Sequence, residues 1–223
     1  MGLLRECANV AIISVFCLFW IGIQVDYNII FLSLSSILSF DQPIYWLSIL
    51  VLVTGPLIGF VAPPLIGILS DPSNENTIIW KSRRYWMAVI GGFISLLGNV
   101  AFALLIYFSA SIPEWVTICT VFAAFIAVLI GLNMVSFALL TLQIETTEPA
   151  KYLMGQTVRS VMITLGNILG GGLIVAVLQS DNYELPLIFI CGMVLFGVCL
   201  FTSLLALAIS PLKFYSVNRQ VSD

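Results

Sequence analysis

Histidine is absent from the 223 residues, which removes the commonest metal ligand and any imidazole proton relay. Charge is scarce as well: only 9% of residues are Asp, Glu, Lys or Arg, and the net charge is −3. So small a balance, spread along the chain, leaves no basic patch for a nucleic-acid partner. The five cysteines, Cys7, Cys17, Cys119, Cys191 and Cys199, lie in or beside apolar runs without metal-ligand spacing and read as small packing residues. No nucleophile arrangement or metal-ligand cluster is recognisable, so the chain does not read as an enzyme and no cofactor or metal is expected.

What is present is apolar surface. Hydrophobic residues make up 61% of the chain and the mean hydropathy is +1.12, against roughly 45–50% apolar residues in soluble domains. Hydrocarbon cannot satisfy backbone N–H and C=O groups, so a spanning chain must be helical or a closed barrel. The runs are about 20 to 28 residues long, which suits helices and not the short alternating strands of a barrel. The reading is an all-α membrane protein with six transmembrane spans, 8–37, 44–69, 86–108, 115–142, 154–178 and 185–209. These form one bundle over 8–209, with a short N-terminus at 1–7 and a tail at 210–223. The first span is too long for a signal-peptide core and lacks a small-residue cleavage site, so it is expected to be retained.

The basic residues set an orientation. Arg5, then Lys81, Arg83 and Arg84, then Lys151 and Arg159, then Lys213 and Arg219 fall on one side, while Asp41, Glu114, Asp181 and Glu184 mark the other. Cytoplasmic loops carry the Lys and Arg excess, so both termini and the 70–85 loop are expected in the cytoplasm; which membrane holds the chain is left open. Arg159 is expected to snorkel to that surface, with pairing to Glu145 or Glu148 as the alternative.

Polar residues inside the spans are the candidates for function, because each is costly there. Asp26 lies midway along the first span and is a candidate for taking up and releasing a proton, with substrate contact and a structural role as alternatives. Gly22, Asp26 and Ser33 fall on one stripe, and Gln24, Asn28 and Ser35 are read as an adjacent one, together making a wide polar face. Asn133, Ser136 and Gln143 form a stripe in the fourth span; Ser160, Thr164, Asn167 and Gly171 form one in the fifth. Such side chains can hydrogen-bond sugar hydroxyls or equally hold helices together. Gly166, Gly170, Gly171 and Gly172 read as close-packing residues, since a phosphate cradle needs a preceding strand and an open loop.

The loop GILSDPSNENTIIWKSRRYW, residues 67–86, gathers five charged residues. Its Asp71 and the pair Arg83 and Arg84 can lock neighbouring spans by charge-assisted hydrogen bonds, and a bond made in one conformation only would serve as a gate; the alternative is a solvated loop whose cations only set the orientation. The run Gly59, Pro64, Gly67, Ser70, Asp71, Arg83, Arg84 resembles the loop between helices two and three of major facilitator superfamily transporters. It is most similar to the sucrose and glycoside (glycoside-pentoside-hexuronide) cation symporter group, whose Q-P-x-x-G-x-x-S-D segment precedes G-R-R-R-P. Pro63, Lys81 and Tyr85 depart from the Gln, Gly and Pro of that pattern. GIQVDYNIIFLSL, ALLTLQ and ITLGNILGGG resemble the family's helices one, four and five, although Phe137 stands where the family has Arg and Leu142 near its acid.

The resemblance implies the amino-terminal half of a major facilitator fold, two inverted three-helix repeats, with the site near the midplane between halves. It also implies proton-coupled symport of a sugar or glycoside through a path lined by spans one, four and five. A second six-helix half is then needed, from the same chain, a homodimer or a heterodimer; a homodimer joined by span one would bring two Asp26 carboxyls together. The alternative is a non-transporting membrane scaffold or partner subunit.

Overall fold

The computed structural model describes residues 12–37, 45–70, 82–108, 113–147, 151–178 and 185–209. Each of the six predicted spans is matched by a helix among the described residues: α1 Phe19–Ile37, α2 Tyr45–Ser70, α3 Arg83–Phe108, α4 Glu114–Thr146, α5 Tyr152–Leu178 and α6 Leu185–Ile209. α2 to α6 each contain a stretch long and apolar enough to cross a membrane, and a sixth such stretch, Ile12–Phe31, runs from the helical residues before α1 into it, compatible with an integral, multi-pass membrane protein. Two helices outrun their apolar cores. α3 starts at Arg83 rather than 86 and α4 runs to Thr146 rather than 142, the Thr147 N–H still donating to Gln143 O at 3.1 Å.

Helical residues at 12–17 precede α1, and the ladder breaks at Leu18. A freed backbone group inside a bilayer needs a substitute partner, and Ser203 of α6 supplies it. Its Oγ accepts the Phe19 N–H at 3.0 Å and, in turn, reaches Val15 O at 3.3 Å and Cys199 O at 2.9 Å.

α1 is the central helix. It packs against α5 on one side and α6 on the other; α4 packs against α2 and α3, and α3 against α6. Small residues set two of these distances. A Cβ on Gly131 would stand 2.5 Å from Gly91 O and 2.6 Å from Ser95 N, so α3 and α4 touch backbone to backbone. Gly166 and Gly170 play the same part between α5 and α1, where Cβ atoms would meet Ile21 O at 2.8 Å and Val25 Cα at 3.1 Å. Gly171 and Gly172, expected to pack likewise, have open space instead. The core between these contacts is built of large apolar side chains, with Phe102 of α3 stacked on Phe189 of α6 at 5.4 Å. α2 and α5 leave long apolar flanks uncovered, including Leu52, Phe60 and Ile68 on one and Leu153 and Ile168 on the other.

Candidate functional site

The polar residues of α1 divide into two faces rather than one wide one. Successive helical residues turn by about 100°, so Gln24 and Asp26, two apart, point nearly opposite ways. Gly22 and Asp26 face α6 and α3, while Gln24 and Asn28 face α5. Gly22 lies against Phe196 and Cys199 of α6, and Gln24 and Asn28 lie against Gly166 and Gly170 of α5.

Asp26 is 1% exposed. Its Oδ2 accepts from Ser95 Oγ at 3.2 Å and from Asn99 Nδ2 at 3.0 Å, and the same amide donates to Ser95 O at 3.0 Å. Its carboxyl is therefore sealed in the α1–α3 contact. The expectation that a homodimer joined by span one would bring two Asp26 carboxyls together meets no exposed carboxyl here, because Ser95 and Asn99 of the same chain cover it.

The second face is open. Asn28 Nδ2 donates to Asn167 Oδ1 at 3.1 Å, joining α1 to α5. Next to it, Asn133 Nδ2 donates to the Tyr27 hydroxyl at 3.3 Å, joining α4 to α1, and to Leu129 O at 2.8 Å. Residues 28, 133 and 167 all fall near the middles of their helices. Asn167 and Thr164 are exposed and Gln24, Asn28, Asn133 and Ser136 half-buried; of these, Gln24, Asn28 and Asn167 lie in the α1–α5 contact and Asn133 reaches the adjoining Tyr27 from α4. Ser136 and Thr164 spend their hydroxyl hydrogens on Leu132 O at 2.7 Å and Ser160 O at 3.0 Å; only their lone pairs remain to be offered. Asp26 stands apart from this face, and the Ser33 side chain lies outside the described residues.

At one end of the bundle the motif residues meet α4. Gly67 lies against the Phe137 ring, at 3.6 Å from an added Cβ, and buried Ser70 donates to Gly67 O at 3.3 Å. Arg84 forms an ion pair with Glu145. Arg83 is exposed, and Asp71 lies outside the described residues. Glu145 is thus committed to Arg84 and not to Arg159, whose guanidinium instead sits 4.2 Å over the Trp20 ring and donates to Gln156 Oε1 at 3.4 Å. Cation–π contact and burial of the stem account for that position. Gln143 joins α4 to α5 by donating to Gly155 O at 3.2 Å.

Ser95, Asn99, Tyr27 and Ser203 were missed as partners from sequence, and Glu145, considered there for Arg159, pairs with Arg84. A polar pair one helical turn apart in an apolar run, Ser95 and Asn99, is the signal that was available. No group of three or more Cys, Asp or Glu gathers among the described residues. No protein-family model matches the chain, and no curated protein or solved structure matches it either.

Proposed function

We propose that the chain is one six-helix half of a secondary transporter for a neutral sugar or glycoside, driven by protons, and that the open polar face of α1, α4 and α5 lines its substrate path. The observation that carries this reading is that face. Amides facing hydrocarbon would forfeit hydrogen bonds, so exposed Asn167 and half-buried Asn28 and Asn133, all in mid-helix, call for a wet cavity and a second wall. Amide and hydroxyl groups without a charge suit hydroxyl-rich, uncharged substrates.

The pattern of contacts supports a repeat. Exchanging α1, α2 and α3 for α4, α5 and α6 leaves the set of main helix pairs unchanged: α1–α5 becomes α4–α2, α1–α6 becomes α4–α3, and α3–α6 maps onto itself. If every helix crosses the bilayer, three crossings turn the second group upside down relative to the first, as in inverted repeats. The basic residues then put both termini in the cytoplasm, and the Arg84–Glu145 pair beside Gly67 and Ser70 would close the cytoplasmic end.

The test isolates the native product with an antibody against residues 71–81, determines its mass and any co-purifying half, and reconstitutes it in liposomes under an inward proton gradient. Expected is uptake of labelled sucrose or methyl glucoside that unlabelled sugar competes and a protonophore abolishes. A folded product with both halves that takes up no neutral glycoside would sink the reading.

A further inference from the structure

The Asp26, Ser95 and Asn99 cluster leaves two oxygens unaccounted for. Asp26 Oδ1 and Asn99 Oδ1 are both buried and neither meets a hydrogen-bond partner among the described residues. The amide orientation is fixed, because Asn99 Nδ2 uses its two hydrogens on Asp26 Oδ2 and Ser95 O, and a flipped amide would set oxygen against oxygen at both contacts. The orphans are the geminal neighbours of the two atoms in that 3.0 Å bond, so they occupy the same small polar region. Two acceptors without a donor are an imbalance, and buried acceptors left so are rare.

We infer that the cluster is a proton-binding site in the α1–α3 contact. A proton added to the Asp26 carboxylate at Oδ1 makes a carboxylic acid, which gains a donor while Oδ2 keeps accepting from Ser95 and Asn99. Asn99 Oδ1 is the acceptor beside it. One proton thereby removes the charge and offers a partner to both orphans. A metal ion fits less well: hard cations such as calcium and magnesium take about six or more oxygens, and the three side chains together fall short of that.

Among the described residues the surroundings supply no counter-charge. α6 contains no Asp, Glu, Lys or Arg. Arg83 and Arg84 are in the first turn of α3, the latter paired with Glu145 of α4. Arg159 of α5 stacks on Trp20, and the Tyr27 hydroxyl accepts from Asn133. Among the described residues no ion pair reaches Asp26. With the proton gone, α1 must move off α3 for water to reach the carboxylate, so proton occupancy sets the position of the helix whose opposite face carries Asn28. Coupling of that movement to sugar rests on the transporter reading; the proton itself does not.

The test is infrared difference spectroscopy of the native protein in nanodiscs, wild type minus D26N, in H2O and D2O. The amide introduced by Asp26→Asn supplies a neutral donor in the same shape, so the variant is expected to fold. Expected is a protonated-carboxyl C=O band that D26N lacks and that shifts in N99L, where its acceptor is gone. In parallel, hydrogen exchange of residues 19–31 at alkaline pH should exceed that of D26N at the same pH. An ionised carboxylate signal at Asp26 at neutral pH overturns the proposal. So does a thermal stabilisation by sodium over choline chloride that D26N loses, which would assign the site to a metal ion. Absent sugar uptake with the proton band intact would instead count against the transporter reading alone.

Discussion

The side chains of Asn28 and Asn167 are hydrogen-bonded at 3.1 Å across the open flank of α1 and α5. An amide offers more donors and acceptors than one mutual bond uses, so the pair has capacity left for a substrate hydroxyl. Asn167→Leu is expected to lower sugar uptake by about tenfold or more, about 1.4 kcal/mol of lost interaction, while changing fold stability by under about 1.5 kcal/mol, as for an ordinary hydrogen bond. Val161→Leu, on the exposed apolar side of the same helix, is the control. Uptake assays beside thermal melts check it, and equal uptake in Asn167→Leu and wild type would remove the residue from the path.

Ser203 holds the break in the first span. Replacing it by Ala leaves the Phe19 N–H without its acceptor in a region where no water competes for it. The expected cost is about 1–3 kcal/mol, seen as a lower melting temperature in detergent and faster amide exchange at residues 15–21. Ser203→Thr, which keeps the hydroxyl, should recover most of the loss. If Ser203→Ala melts like wild type, the break at Leu18 is satisfied some other way.

Helices were legible because hydrocarbon permits little else, and runs such as LPLIFICGMVLFGVCLFTSLLALAI carry no competing signal. The pairing of polar residues was less so. Gln24 and Asp26 were read as neighbouring stripes, yet two residues of helical rotation send them to α5 and α3; the 100° turn alone separates them, but which neighbour each meets depends on packing. Ser95 and Asn99 were hidden inside an apolar run, and Ser203 is one hydroxyl among aliphatic residues. Arg84 had Asp71, Glu145 and Glu148 as acids at one end of the bundle, and sequence does not choose among them. Asn28, Asn133 and Asn167 stand out in the sequence as amides in mid-span, but a lining role and a helix-joining role look alike there; the bonds Asn28–Asn167 and Asn133–Tyr27 join helices.

Gly131 tests the α3–α4 contact. In Gly131→Ala the new Cβ would lie 2.5 Å from Gly91 O and 2.6 Å from Ser95 N, both backbone atoms that cannot rotate away. The helices must separate, at about 1–3 kcal/mol as for other overpacked cores. Gly172→Ala, with nothing within 4 Å, should be neutral or stabilising by up to about 1 kcal/mol, since Ala is the better helix former. Melting the two variants side by side separates packing from propensity, and equal melting temperatures would mean that the α3–α4 contact yields easily.

The Arg84–Glu145 pair joins two helix ends that are each unfavourable to the charge they carry. Arg84 sits in the first turn of α3 and Glu145 in the last turn of α4, so the cation faces the positive end of a helix dipole and the anion a negative one. Alone, each charge is destabilising there; together they offset each other, and with side chains only 12% and 29% exposed the pair is partly shielded from solvent. Arg84→Ala or Glu145→Ala alone is therefore expected to cost about 1.5–3 kcal/mol, the range for a hydrogen bond to a charged group. The double variant should cost less than the sum of the two, because no orphaned charge remains at either helix end. Chemical denaturation of the four proteins closes the cycle. Additive losses would show that the two side chains contribute separately, and a gate built on their contact would then have no energetic basis.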